Sequence, residues 1–310
     1  MTRRDRHVNA STISWQHRAI VKAARLARVS RPAGDKAAQI DPTRTPMPAH
    51  PNPPRLLVRG LRVEQATHVG WPVWTLRART TGADRVVIGI HGGAYISDIM
   101  ATQWHQYASV ARRGNATVKV PLYPVAPWGT AEVVVPAMAD LLAETVAAHG
   151  ADAVGILADS AGGGLALAAT QELVRRGLPT PGRMVLISPW LDVALSDPAN
   201  RQIDDPLLSA DQLVAAGRVW AGSLETTDPR VSPLFGSLDG LPRITVYAGS
   251  LDRLYPDALR LQQRALEEGA DIAFVLRDGL VHDWAAAPFL PEAAAIKGDL
   301  LEQLLGTAGR

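Results

Sequence analysis

The chain has 310 residues and no cysteine. Disulfides, thiolate-held metals and a cysteine nucleophile are therefore excluded, and the composition fits a reducing compartment. It also lacks a strong charge of one sign. The formal net charge is +2, and the arginines are scattered instead of forming the basic face that a nucleic acid requires, so no nucleic-acid partner is expected. Long hydrophobic runs are missing too. The charged start Thr2–Arg6 is not followed by the run of about 7–15 apolar residues that marks a secretory signal. No stretch approaches the roughly 20 apolar residues that span a bilayer. These absences predict a soluble, cytoplasmic protein with no integral membrane segment. No internal repeat or low-complexity tract is present.

The most informative stretch is Val154–Ala168, VGILADSAGGGLALA. A short apolar run enters a tight turn carrying Ser160 and leaves through an alanine-leucine segment of helical composition. That is the layout of a nucleophile elbow, in which a serine sits on a strained strand-to-helix turn. Such a turn needs small neighbours, and Ala158, Ala161 and Gly162 are small. The turn alone could equally be an ordinary helix start capped by serine, so its surroundings have to decide.

Residues 11–30 repeat Ile13, Ile20, Ala24 and Ala27 near a helical period. This predicts a basic amphipathic helix whose mostly alanine face packs on its own protein, with adsorption to a membrane surface as the alternative. Six prolines between Asp41 and Pro54 rule out helix or central strand there and predict an extended strap. From Arg55 strands are expected at Leu61–Gln65, Val73–Ala78 and Val86–Ile90, separated at Gly60, Gly70 and Gly82. Further strands are read at Thr117–Val120, Val154–Leu157, Met184–Ile187, Ile244–Ala248 and Ile272–Leu276. Helices are read at Ala131–His149, Leu165–Arg176, Asp257–Glu268 and Glu292–Leu305. Strands alternating with helices predict an α/β fold with a mostly parallel, eight-stranded sheet covered on both faces. Between Pro189 and Leu241 no strand is legible, only broken helical pieces such as Ala210–Ala221. An excursion of that length suggests an inserted helical cap. The expected organisation is an N-terminal cap helix and strap over residues 1–54, then a catalytic domain over 55–310 with a cap insertion at about 190–240.

In open α/β sheets, ligands gather beyond the carboxyl ends of the strands. Four strand ends carry chemistry: His91-Gly92-Gly93 after one, Ser160 after the next, Asp252 after a third and His282 after the last. A hydroxyl needs a base, the base needs a carboxylate to hold its tautomer, and the oxyanion needs preorganised N–H donors. All of these fall at one sheet edge in the order serine, acid, histidine.

His91-Gly92-Gly93-Ala94-Tyr95, Asp159-Ser160-Ala161-Gly162-Gly163, Asp252-x-Leu254 and Gly279-x-x-His282 together resemble the bacterial hormone-sensitive-lipase-like (family IV) esterases, α/β-hydrolases with a cap. Tyr123–Pro127, Ser188–Asp192 and Asp228–Pro233 support the resemblance, which runs from about residue 55 to the C-terminus. It implies a carboxylic-ester hydrolase forming an acyl-enzyme on short to medium acyl esters, with Ser160 as nucleophile, His282 as general base and Asp252 as the acid. It implies a small-molecule ester as partner, no metal or other cofactor, and a homodimer formed through the sheet edge near the last strand. The backbone N–H groups of Gly92, Gly93 and Ala161 are the expected oxyanion donors, with His91 steadying their loop. Asp257 is read as a first-turn helix acid, Asp159 as a ligand for neighbouring loops, and Asp283 as pointing away from the base. Tyr95, Trp190, Trp284 and Trp128 could line a pocket or belong to the core under the cap; the first three are taken as candidate pocket residues. The chain departs from the pattern at Ala158, where a glycine is usual, and at Trp128, where glutamate is frequent. An acyltransferase or amidase could use the same triad, and a small-molecule receptor could use the fold without catalysis.

Overall fold

A computed structural model describes residues 13–28, 41, 43–47, 49–79 and 84–306. The charged start Thr2–Arg6, Pro42, Pro48 and Gly82 lie outside the described residues.

The sequence pattern resolves into eight strands: β1 (Leu61–His68), β2 (Trp71–Ala78), β3 (Val86–Ile90), β4 (Thr117–Pro121), β5 (Val154–Asp159), β6 (Arg183–Ile187), β7 (Arg243–Gly249) and β8 (Ile272–Arg277). They form one sheet in the order β1-β2-β4-β3-β5-β6-β7-β8. The first two strands form a hairpin whose turn, Val69-Gly70, has φ of 42° and 88°, both positive as the right-handed twist of a tight hairpin demands. β2 also runs antiparallel to β4, and every pairing from β4 through β8 is parallel. The inner strands explain their continuous apolar runs: all residues of β3 and β5 are buried, because a parallel sheet is covered on both faces.

Eight α-helices accompany the strands among the described residues: α1 (Trp15–Arg28), α2 (Ala101–Arg113), α3 (Ala131–His149), α4 (Ser160–Arg175), α5 (Pro198–Gln202), α6 (Ala210–Ala221), α7 (Tyr255–Glu268) and α8 (Pro291–Leu305). One face of the sheet packs against α3, α4 and α7, with Val134, Leu142, Leu165, Leu173 and Leu261 in its core. The other face packs against α2 and α8 through Trp104, Tyr107, Leu300 and Leu304. The sequence pattern did not reveal α2. Its buried face carries Gln103, Gln106 and Ser109 among the apolar residues, so hydropathy alone does not display its helical period.

Two outlying segments are tied to this frame. Helix α1 docks on α8, where Ser14 donates to Glu292 through its N–H (2.7 Å) and its hydroxyl (3.0 Å). Ile13 and Ile20 pack on the core, whereas Trp15 and Leu26 stay exposed. The proline-rich strap has no helix or strand among its described residues. It is held by Trp128, whose indole N–H donates to the Thr45 carbonyl (2.6 Å), and by His50, which donates to Asp98 (2.6 Å). Between β6 and β7 the chain carries α5, α6 and a short turn at Pro233–Phe235. Buried Arg253 anchors this excursion by donating to the carbonyls of Asn200 and Ile203. Among the described residues no helix is long and apolar enough to cross a membrane.

Candidate active site

β5 runs directly into α4, and the junction is Ser160 at φ +51°, in the left-handed region that a side chain adopts only under constraint. The turn closes because Gly162 passes against β3; a Cβ there would overlap the carbonyls of Ile90 and His91. Ala158 lies inside the sheet, paired with Ile90 and Leu186, and is fully enclosed.

Three predicted residues meet at this junction. His282 Nε2 lies 3.0 Å from Ser160 Oγ, and His282 Nδ1 lies 2.9 Å from Asp252 Oδ2. Asp252 is completely buried, and its second oxygen accepts from the Leu254 N–H (2.9 Å). With a carboxylate at Nδ1, the imidazole carries its proton there, leaving Nε2 free to accept from the serine. Burial by itself lowers the His282 pKa, but the carboxylates of Asp252 and Asp283, with Asp205 behind them, outweigh it and raise it to about 10. Asp257 does not join this group. It sits in the first turn of α7, bonded to Arg260 (3.0 Å), with its pKa pushed up to about 7 by burial and by Asp192.

Asp283 departs from the sequence expectation. Its backbone is left-handed, at φ +55°, and that twist turns the carboxylate back so that Oδ2 stands 3.3 Å from His282 Nε2. The Asp283 N–H is fixed on Ser188 Oγ (3.0 Å). Burial, in the company of Asp159, Asp252 and Asp205, holds the Asp283 carboxyl well above the usual range. Neighbouring side chains point apart in extended backbone, and the left-handed twist at Asp283 removes that condition.

The HGG turn packs against the elbow. His91 is neutral, its pKa lowered to about 4 chiefly by burial. Its Nδ1–H donates to the Gly92 carbonyl (2.8 Å), and its ring stacks on Tyr123 at 4.5 Å. Gly92 is a second departure. Its N–H donates to Asp159 Oδ2 (3.1 Å), so it is not open to an oxyanion. Asp159 also accepts from Gln103 (2.6 Å), and burial raises its carboxyl to about 6. Gly92 instead serves close approach, since a Cβ there would stand 2.5 Å from Asp159 Oδ2 and 2.9 Å from Ser160 Cβ. Beyond it Gly93, Ala94 and Tyr95 all have positive φ, at 125°, 53° and 62°. Among the described residues the N–H groups of Gly93, Ala94 and Ala161 donate to no backbone or side-chain acceptor. Ala94 was invisible as a donor in the sequence, because its role depends on a backbone angle that alanine does not advertise.

The three candidate pocket aromatics are a third departure. Tyr95, Trp190 and Trp284 are at most 1% exposed. Positive φ at Tyr95 swings its ring beneath the elbow, where it stacks on Trp220 at 4.0 Å and on Trp190 at 5.4 Å. Trp284 packs edge-on to Tyr247 on the opposite face of the sheet. Lying near a strand end therefore did not make these rings a lining; Tyr95 and Trp190 belong to the core on the α4 side of the sheet, and Trp284 to the core on the other face.

Two supports were not predicted. Asp205, from the excursion after β6, accepts from the Arg253 N–H (2.8 Å) and so fixes the backbone beside Asp252. His17 Nε2 of α1 accepts from the Val281 N–H (3.2 Å), the residue before the histidine. Neither has a local signal, because each acts across a large sequence separation.

Comparison with known proteins gives a consistent picture. The profile of a family described as having an alpha/beta hydrolase fold matches residues 87–286. A Mycobacterium tuberculosis protein named triacylglycerol lipase is 44% identical over 237 residues, which cover 75% of this chain but 50% of that protein. The chain thus spans about half the length of that relative. An acetyl-hydrolase of Streptomyces hygroscopicus is 34% identical over 246 residues, covering 75% of this chain and 80% of the relative. Among solved structures, an esterase described as belonging to the bacterial hormone-sensitive lipase family superposes with a TM-score of 0.76 at 26% identity, covering 95% of this chain and all of that one.

Proposed function

We propose, from the premise that the chain belongs to the α/β-hydrolase family and within it to the hormone-sensitive-lipase-like esterases, that it hydrolyses carboxylic esters through an acyl-enzyme. The observation that carries the reading is the continuous line Ser160 Oγ, His282 Nε2, His282 Nδ1, Asp252 Oδ2, with contacts of 3.0 and 2.9 Å. His282 takes the proton of Ser160 as its oxygen attacks the ester carbonyl, and Asp252 holds the imidazolium that results. The tetrahedral oxyanion is received by the N–H groups of Gly93, Ala94 and Ala161. His282 then returns the proton to the leaving alcohol. Water then attacks the acyl carbon as it gives a proton to His282, and the intermediate breaks to the free acid and Ser160, whose oxygen takes that proton back from His282. No metal or other cofactor has a part in this scheme.

Short to medium acyl esters are the substrate class. The names of the relatives, an acetyl-hydrolase and a triacylglycerol lipase, support acyl esters as the common ground. Within the same proposal, residues 55–310 form the catalytic domain, with α1, the strap and the excursion at about 190–240 as its cap. A homodimer through β8 is supported by that strand's place at the end of the sheet. Action in the cytoplasm rests on the sequence argument alone.

Hydrolysis of short-chain chromogenic esters by the wild type and Ser160→Ala is the test. Removing a nucleophile that works with its base as a unit costs on the order of 10⁶ in kcat. Equal rates for the two proteins would overturn the reading.

A further inference from the structure

On the face of the sheet covered by α2 and α8, these helices and the segment after His282 enclose a cavity of about 70 Å3. Part of the lining is apolar, including Ala285, Ala286, Ala293 and Leu300. The lining also holds four polar residues: His105, Gln106 and Ser109 from α2, and Lys297 from α8. A simple packing gap in this core would be lined by apolar groups alone.

Two features of these polar residues point to a ligand. Gln106 is 9% exposed, and its buried Oε1 has no hydrogen-bond partner among the described residues. Gln106 belongs to the cavity lining, and the NH2 end of an amide supplies two donors to an occupant. The second feature is the charge. Lys297 is half-buried, and the charged neighbour acting on it is Arg113; those acting on His105 are Lys297, Arg112 and Arg113. Burial first, and these cations after it, lower both pKa values. Arg112 is itself spent on the carbonyls of Leu57 and Arg59, so it brings positive charge without an acid. The mouth is cationic and the interior is greasy.

We propose that this cavity binds a short-chain monocarboxylate, with the alkyl end among the alanines and Leu300 and the carboxylate held by Lys297, His105, Ser109 and the Gln106 amide. The volume is about half of the roughly 150 Å3 that admits benzene in an engineered cavity, which suits an alkyl tail of about three carbons with the carboxylate left at the mouth. Acids of this class are what the proposed reaction releases, and that identification of the ligand as product rests on the ester-hydrolase reading. The binding itself does not. Ala285, in the cavity wall, follows His282 by three residues, so an occupant lies against the segment that carries the imidazole.

Because the chain has no cysteine, Ala294→Cys at the exposed mouth of the cavity creates a unique thiol. The experiment measures its rate of reaction with a chromogenic disulfide reagent in the full chain. Sodium butyrate is expected to slow labelling about fivefold once it exceeds its Kd severalfold, while 1-butanol and butylammonium do not. Adding Lys297→Glu, or the milder Lys297→Met, is expected to abolish protection. A thiol placed by Leu266→Cys, exposed on α7, reports any general effect and should be unchanged. No slowing by butyrate, equal slowing by butanol, or protection that survives both Lys297 changes would overturn the proposal. Ester turnover is not read, so failure here leaves the ester reading standing, and an inactive enzyme would leave the cavity result intact.

Discussion

The Asp283 carboxylate stands 3.3 Å from His282 Nε2, the same nitrogen that faces Ser160. The base is thus flanked by carboxylates on both ring nitrogens, Asp252 on one side and Asp283 on the other. Both favour the imidazolium, which raises the pKa of the base. A general base works only when neutral, so the acid limb of the pH–rate profile reports protonation of His282. Asp283→Asn removes one of the two carboxylates and should move the acid limb of kcat/KM toward lower pH, by about one unit. A pH–rate profile of the two proteins checks this; an unmoved limb would show that Asp283 carries a proton in the working enzyme.

Gly92 makes its contribution through space, since its N–H is already given to Asp159. Gly92→Ala would put a methyl group against Asp159 Oδ2 and Ser160 Cβ and push the HGG turn away from the elbow. Displacements of about 1 Å at a reacting centre cost on the order of 10² in rate. We expect kcat to fall by about that factor with a smaller change in KM. Steady-state kinetics on a short ester distinguishes this from a loss of oxyanion binding at Gly92 itself, for which the intact N–H of the alanine variant would preserve kcat.

Trp190 is enclosed beside Tyr95 and Trp220, so its role is mechanical support. Trp190→Ala should destabilise the fold by about 3–5 kcal/mol and leave the order of preference among acyl chain lengths unchanged. Urea unfolding and a chain-length series of esters read the two effects separately. A changed preference with unchanged stability would return Trp190 to the substrate pocket.

Asp257 supplies a pH dependence of stability with a definite sign. Its carboxyl is raised from an ordinary 3.8 to about 7 in the folded chain. Between those values the folded state holds a proton that the unfolded state has lost, so raising the pH across that window weakens the fold through this group. Asp257→Asn should therefore flatten the decline in stability between pH 4 and pH 7. Urea midpoints at the two ends of the window test it, and an unchanged slope would assign the decline to other groups.

The fold and the order of its chemistry were legible along the chain because both rest on local signals. Apolar runs of strand length separated by helical stretches prescribe a covered parallel sheet, and the small residues around Ser160 permit a turn that larger ones would block. Topology then brings the loops at the carboxyl ends of the parallel strands to one edge, which is why Ser160, Asp252 and His282 could be paired before any distance was known. Helix α2 escaped because buried Gln103, Gln106 and Ser109 interrupt its apolar period.

The details that tertiary structure alone decided are those set by backbone sign and by partners far away in the chain. A left-handed residue reverses its side chain, and this turned Asp283 toward the base and Tyr95 beneath the elbow. The proton of Gly92 was claimed by Asp159, 67 residues onward, leaving the oxyanion to its neighbours. Asp205 and His17 reach the site from the excursion after β6 and from α1. Residue type tells what a group can donate or accept; which partner it meets is decided only when the packed chain has closed around it.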